Sequence, residues 1–236
     1  MARTVDALAH ARRRDEFLAA TQELIAGKGF AQMSIQDVLD ATGTSRGALY
    51  HYFGSKQDLL WAVVERMGEA LLARLRAAVD GAGPDALDQL RAYFGTLAGG
   101  KLQHHGSANN ALHMWYSEDN VLVRARLRTH LIDRHAPLLA AIVRRGVDQG
   151  AIDTVAPESI GRLLITLIQD LNDELAGLFF AFEAGRAVRT DIDGVILAYT
   201  AAIERILGLS EGAITIVGTS ELLSWFRGAN STVRGS

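Results

Sequence analysis

Gly43 is the residue that most limits what this chain can fold into. It closes one short amphipathic segment, and Ser45 opens another two residues later, so two brief helices must follow each other across a left-handed turn. The first starts at Ser34, which forms a capping-box pattern with Asp37, and carries Ile35, Val38 and Leu39 at helical spacing. The second runs to about Phe53 and can turn Ala48, Leu49, Tyr52 and Phe53 inward. Ahead of them, Arg12 to Gly29 sets Phe17, Leu18, Thr21, Leu24 and Ile25 on one stripe, a longer helix with Phe30 expected beneath it. Ser55 and Asp58 repeat the capping box and open a fourth helix through Leu59, Leu60, Val63, Val64, Met67 and Leu71. Two short helices meeting at a glycine turn and braced by a longer one make a helix-turn-helix, in which the second helix reads.

The rest of the chain keeps the helical period to about Leu209. Leu87, Leu90, Phe94 and Leu97 mark one helix, Ala111 to Tyr116 a shorter one, and Val121 to Val147 a long one that Pro137 is expected to kink or divide. Pro157 opens the clearest stripe, from Ile160 to Phe182, and Ile192 to Leu207 form another. In that last helix Gly194, Ala198, Ala201 and Ala202 would let a neighbour approach closely. With only 3 prolines in 236 residues and 49% apolar residues, the expected fold class is all-α, with a core large enough to bury both stripes. The segment 210–236 is less regular: Ile214 to Val217 read as a short strand-like piece and Leu222 to Phe226 as a helical turn.

Several function classes fall away. Without cysteine there is no disulfide framework, thiolate zinc site or cysteine nucleophile. Apolar stretches such as Leu175 to Phe182 are far short of the ~20 residues that span a bilayer, and the N-terminus lacks a signal-like apolar run, so a cytoplasmic protein without a membrane partner is expected. Gly43 to Gly47 spell G-x-S-x-G, yet a nucleophile elbow follows a strand and this run follows a helix, leaving hydrolysis through Ser45 the least favoured reading. Gly95 to Lys101 miss a phosphate-binding loop because Leu102 replaces the Ser or Thr that holds magnesium. The histidines include no i, i+4 pair. No catalytic residue, metal site or cofactor is expected.

The run Thr44-Ser45-Arg46-Gly47-Ala48-Leu49-Tyr50-His51-Tyr52-Phe53-Gly54-Ser55-Lys56-Gln57-Asp58-Leu59-Leu60 resembles the N-terminal DNA-binding domain of the TetR family of transcriptional regulators. The likeness covers roughly residues 12 to 65. Only the exposed face of the third helix can enter a major groove ~12 Å wide, which makes Thr44, Ser45, Arg46, Tyr50 and His51 the candidates for double-stranded DNA. Arg46 can donate two hydrogen bonds to guanine, Thr44 and Ser45 can bond a base or phosphate, and Tyr50 can meet a thymine methyl or a phosphate. The resemblance implies Tyr50 and Tyr52 at the DNA surface and Lys56 on a phosphate. Residues 1 to 60 hold seven Lys and Arg against seven Asp and Glu, so attraction to DNA must come from placement. Arg3, Arg12, Arg13 and Arg14 cluster at one end, where they could follow a phosphate backbone or remain solvated.

The resemblance also implies a larger helical-bundle domain for ligand binding and dimerisation. The expected division is 1–58 for DNA, 59–209 for sensing and pairing, and 210–236 as a tail. Phe94, Leu112, Trp115, Tyr116 and Phe179 are candidate walls of a small-molecule effector site. Glu174 falls inside the apolar stripe of its helix with Asp170 at the edge; an acid there calls for a partner, whether effector, second subunit or arginine. A homodimer through 157–184 and 189–209 would bury both stripes in a four-helix bundle and require an inverted-repeat operator, released when the effector binds. The alternative is a constitutive DNA-binding dimer whose C-terminal half only assembles.

Overall fold

In a computed structural model of the chain, residues 2–29, 32–102, 112, 113, 115–220 and 222 are described, the side chains of 2–7 and 100–102 excepted. They form α1 (Ala2–Lys28), α2 (Ile35–Thr42), α3 (Arg46–Tyr52), α4 (Lys56–Gly81), α5 (Ala86–Leu102), a 3-10 turn (Glu118–Asn120), α6 (Val121–Asp148), α7 (Pro157–Glu183) and α8 (Arg189–Ile206). No strand occurs among the described residues, and the all-α expectation holds. Phe30 and Ala111 lie outside the described residues.

The described residues pack as two compact units, one drawn from Met1–Gly68 and Ser107–Leu127, the other from Glu69–Gly106 and Arg128–Ser236. In the first, Phe17 and Leu18 of α1, Val38 and Leu39 of α2, Leu49 of α3, and Leu59, Leu60 and Val63 of α4 form one buried cluster. Each such side chain contributes ~1.5–3 kcal/mol by leaving water. Val123 is buried in the same cluster, and Trp115 and Leu127 pack against it, so residues far along the chain complete this core. The Arg126 guanidinium lies 4.2 Å from the Trp61 ring centroid.

In the second unit α7 and α8 pack together, with Ile160, Leu164, Ile168, Leu171, Leu175 and Phe179 of α7 buried. Gly161 lets α7 approach α6 closely: a Cβ there would sit 2.5 Å from the Ala136 carbonyl oxygen and the Ala140 nitrogen. Among the described residues, no atom beyond the local backbone of α8 lies within 4 Å of a Cβ built on Gly194. Arg134 of α6 holds Glu69 of α4 through Nε at 2.7 Å and Nη2 at 2.6 Å. Beyond α8, the buried Glu204 carboxylate accepts the Ile214 amide at 3.2 Å and ties the tail back to the helix, with Ile214 and Ile216 buried.

Four sequence expectations need correction. α1 begins at Ala2 and not near Arg12, because Ala7, Ala9 and Ala11 favour helix without adding an apolar stripe to mark it. α4 continues past Leu71 to Gly81, carried by buried Leu72, Leu75 and Val79. α6 runs unbroken through Pro137, where burial of Ile132 and His135 before the proline and Leu139, Ala140 and Val143 after it outweighs one lost backbone hydrogen bond. Ile214 to Val217 is not a strand: the buried side chains alternate, but the Ile214 amide bonds a glutamate instead of a neighbouring strand.

Candidate nucleic-acid interface

The helix pair is built by local chemistry. Ser34 Oγ accepts the Asp37 amide at 3.1 Å, and Asp37 Oδ2 accepts the Ser34 amide at 2.6 Å, completing the capping box of α2. Lys28 Nζ is 2.6 Å from Asp37 Oδ1, and this bond with those from Ser34 holds the Asp37 carboxyl far below the usual carboxylate range. Gly43 takes φ 61° and ψ 35°, and its amide and that of Thr44 both reach the Leu39 carbonyl. The Thr42 and Thr44 hydroxyls share a hydrogen bond of 2.8 Å across the turn. Ser45 then caps α3, its Oγ accepting the Ala48 amide at 3.3 Å. Ser55 accepts the Asp58 amide at 3.0 Å and opens α4.

Leu49 anchors α3 in the core, so the other side of this short helix faces solvent. Arg46, Gly47, Tyr50 and His51 are exposed together, and Ser45 is exposed beside them. Arg46 and Tyr50, one turn apart, share a face. Thr44 is half-buried and engaged in the turn. Tyr52 is also half-buried, its ring centroid 5.4 Å from that of Phe17 and 4.4 Å from that of His10. Lys56, the first residue of α4, is half-buried; burial lowers its ammonium pKa, partly opposed by the nearby Asp37 charge. Sequence spacing missed His10, whose ring comes within 5.9 Å of His51 by contact between α1 and α3. Of the basic cluster, Arg12 is exposed, Arg13 pairs with Glu16 and donates to the Thr42 carbonyl, and Arg14 lies over Phe53. The Arg3 side chain is outside the described residues.

The candidate effector residues fall in different units. Phe94 and Phe179 are fully buried in the second, where Glu174 is exposed; its place on the helical wheel is at the stripe's solvent side, not in the packed interior. The neighbouring Asp170 accepts the Tyr199 hydroxyl at 2.5 Å. Leu112, Trp115 and Tyr116 are half-buried in the first unit, with Arg124 donating to the Trp115 carbonyl and lying 5.0 Å from the Tyr116 ring centroid. A depression of about 540 Å³ in the second unit, bordered by Arg91, Gly95, Ala98, Ala213, Thr215 and Val217, includes none of the six. The G-x-S-x-G run occupies the turn and the start of α3, and Ser45 Oγ is engaged as a cap. Gly95 to Lys101 lie within α5.

A capped pair of short helices, turned by a left-handed glycine and packed so that the second exposes Arg46, Tyr50 and His51, defines a helix-turn-helix DNA-binding domain. The sequence profile of bacterial regulatory proteins, tetR family, matches residues 17–63, the stretch that holds α2, α3 and the start of α4. An HTH-type transcriptional regulator from the lacX 3' region of Lactococcus lactis subsp. lactis is 42% identical over 52 residues, 22% of this chain and 26% of the relative. The HTH-type transcriptional repressor KstR2 of Mycobacterium tuberculosis is 30% identical over 82 residues, 35% of this chain and 40% of the relative. The chain thus matches well under half the length of these relatives. Among solved structures, the TetR-family repressor FadR of Thermus thermophilus, in complex with lauroyl-CoA, has a TM-score of 0.58 at 20% identity, covering 84% of this chain and 97% of its own. RolR, in complex with resorcinol, gives 0.58 at 14%, covering 93% and 95%. These likenesses show the fold. No helix among the described residues is long and apolar enough to cross a membrane.

Proposed function

We propose that this protein is a ligand-responsive transcriptional regulator, acting as a repressor, which binds an inverted-repeat operator as a homodimer and leaves it when a small molecule occupies its second unit. The observation that carries the reading is the side of α3 opposite Leu49, where Arg46, Tyr50 and His51 stand exposed on a firmly capped turn. Arg46 reads a guanine, Tyr50 and His51 lie along the groove, Thr44, Ser45 and Tyr52 support the contact, and Lys56 neutralises a phosphate. Pairing is supported by large apolar side chains left in water on α7 and α8: Leu163 is 49% exposed and Leu197 61%. That proteins of this fold hold lauroyl-CoA and resorcinol supports a sensor role, with buried Phe94 and Phe179 as its apolar walls. In functional terms residues 1–58 read DNA, 59–209 sense and pair, and 210–236 form a tail, while packing groups Val123 with the first part.

Selection of bound fragments from random duplex DNA by the full chain, followed by anisotropy titrations, tests this. The recovered site should be an inverted repeat whose half-sites lie one helical turn, or a multiple, apart. Arg46→Ala should relax preference at one base pair of each half-site, whereas Lys56→Ala should weaken all sequences alike and reduce the salt slope by roughly 1 per protomer. Recovery of no common sequence, or base-specific loss from Lys56→Ala, would contradict the assignment.

A further inference from the structure

Tyr93 of α5 and His135 of α6 are both buried in the second unit, and the Tyr93 hydroxyl lies 2.7 Å from His135 Nδ1. The other imidazole nitrogen, Nε2, is buried with no hydrogen-bond partner among the described residues. Burial keeps the ring neutral, with its pKa down at about 4. A neutral imidazole carries one hydrogen, and its position follows from what each atom needs. With hydrogen on Nδ1, both the tyrosine proton and the Nε2 lone pair would lack a partner. With hydrogen on Nε2, Tyr93 donates to Nδ1 and one group alone is unmatched, the Nε2–H. A buried donor left in this way calls for an acceptor that the described residues do not supply.

The surroundings narrow what that acceptor can be. A buried water needs two to four polar partners. The other buried polar side chains of the unit, Gln89 and Glu204, are engaged with the Gly83 carbonyl and the Ile214 amide. An anion would need a positive charge at the pair, and both members are neutral. The ionisable groups around His135 are Glu69 and Arg76 of α4 and His130 and Arg134 of α6, of which Arg134 and His130 already hold Glu69. Phe94 stands edge to face against Tyr93, supplying apolar surface.

We propose that the Tyr93–His135 pair is the polar anchor of a small-molecule site, taking an uncharged, mainly apolar molecule through one oxygen acceptor that receives the His135 Nε2–H. This deepens the sensor role proposed above and rests on it. The tyrosine fixes the imidazole hydrogen on Nε2, and the donor distinguishes a ketone or hydroxyl-bearing molecule from a hydrocarbon of the same shape.

The full chain labelled with 15N-histidine, and the double variant Tyr93→Phe/His135→Leu, test the proposal with cyclohexanone and acetophenone as probes and ethylbenzene as the hydrocarbon control. The ligand-free wild type should show hydrogen on Nε2 and a bare Nδ1. At least one ketone should shift the Nε2–H resonance, raise the thermal midpoint and bind about tenfold more tightly than ethylbenzene, the most that one net hydrogen bond gives. The variant, having lost both polar partners together, should keep its helical spectrum and treat ketone and hydrocarbon alike. An Nδ1–H tautomer, a wild type indifferent to both ketones, or a variant that keeps the preference would overturn the proposal. Failure of the regulator reading shows separately, as absent sequence-specific DNA binding by ligand-free wild type, and leaves these readouts untouched.

Discussion

Replacing Gly161 by alanine should destabilise the second unit although intrinsic propensity favours the change. Alanine in a helix interior gains ~1 kcal/mol over glycine. At this position the new Cβ would stand 2.5 Å from the Ala136 oxygen and Ala140 nitrogen and 2.8 Å from the Ala140 Cα. All three atoms belong to the α6 backbone or its Cα, so no side chain can swing aside. Separating α7 from α6 by about half an ångström or more opens gaps in a unit whose interior holds Leu139 and Val143 of α6 and Leu164 and Ile168 of α7. Overpacking of this kind costs ~1–3 kcal/mol, and a clash with backbone belongs at the upper end. The net loss should be ~2 kcal/mol, which for a chain of this size lowers the thermal midpoint by roughly 4–8 °C. Circular dichroism melts of wild type, Gly161→Ala and Gly95→Ala provide the test, since Gly95 is exposed in α5 and, among the described residues, no atom beyond its own local helix backbone lies within 4 Å of its Cβ position. Gly95→Ala should hold or raise the midpoint. A Gly161→Ala protein melting at or above wild type would refute the argument from close approach.

Because the His135 pKa lies at about 4 against its ordinary 6.5, the unfolded chain takes up a proton first as the pH falls. Its stabilising contribution is therefore complete above pH 6.5 and lost on descending to 4, by at most ~3 kcal/mol. Urea titrations across that window should show a steeper loss for wild type than for Tyr93→Phe/His135→Leu, and parallel curves would exclude it. Ser34→Ala removes the α2 cap and should cost the first unit ~1 kcal/mol, read as a lower urea midpoint at unchanged slope. Under the proposed pairing through α7 and α8, Leu163→Glu with Leu197→Glu should yield monomers in sedimentation; an unaltered sedimentation coefficient would refute pairing through this face.

The helix-turn-helix was legible because each of its devices is local: Ser34 with Asp37, the left-handed Gly43 and the Ser45 cap lie within a few residues of the groups they satisfy. The long stripes of α7 and α8 were legible for the same reason, their burial repeating with the helical period. What spacing could not show depends on contacts between distant segments. His10 meets His51 across two elements, and Tyr93 finds His135 42 residues away. Gly194, in a visibly small-residue helix, is open within the protomer, whereas the close approach falls on Gly161, a single glycine in a stripe of large residues. Glu174 looked interior because a wheel shows angular position and not how wide a sector the neighbouring helices cover.

Val123, buried with Phe17, Leu18 and Leu49, gives the order of synthesis a consequence. A chain leaves the ribosome amino end first, at 5–20 residues per second. Helices α2 and α3 are therefore made well before the last pieces of their own interior, which follow after about 60 residues, or roughly 3 to 12 s of translation. During that interval the nascent segment exposes an unfinished apolar surface, and a polypeptide terminated within it would be a client for chaperones or proteases rather than a free DNA binder.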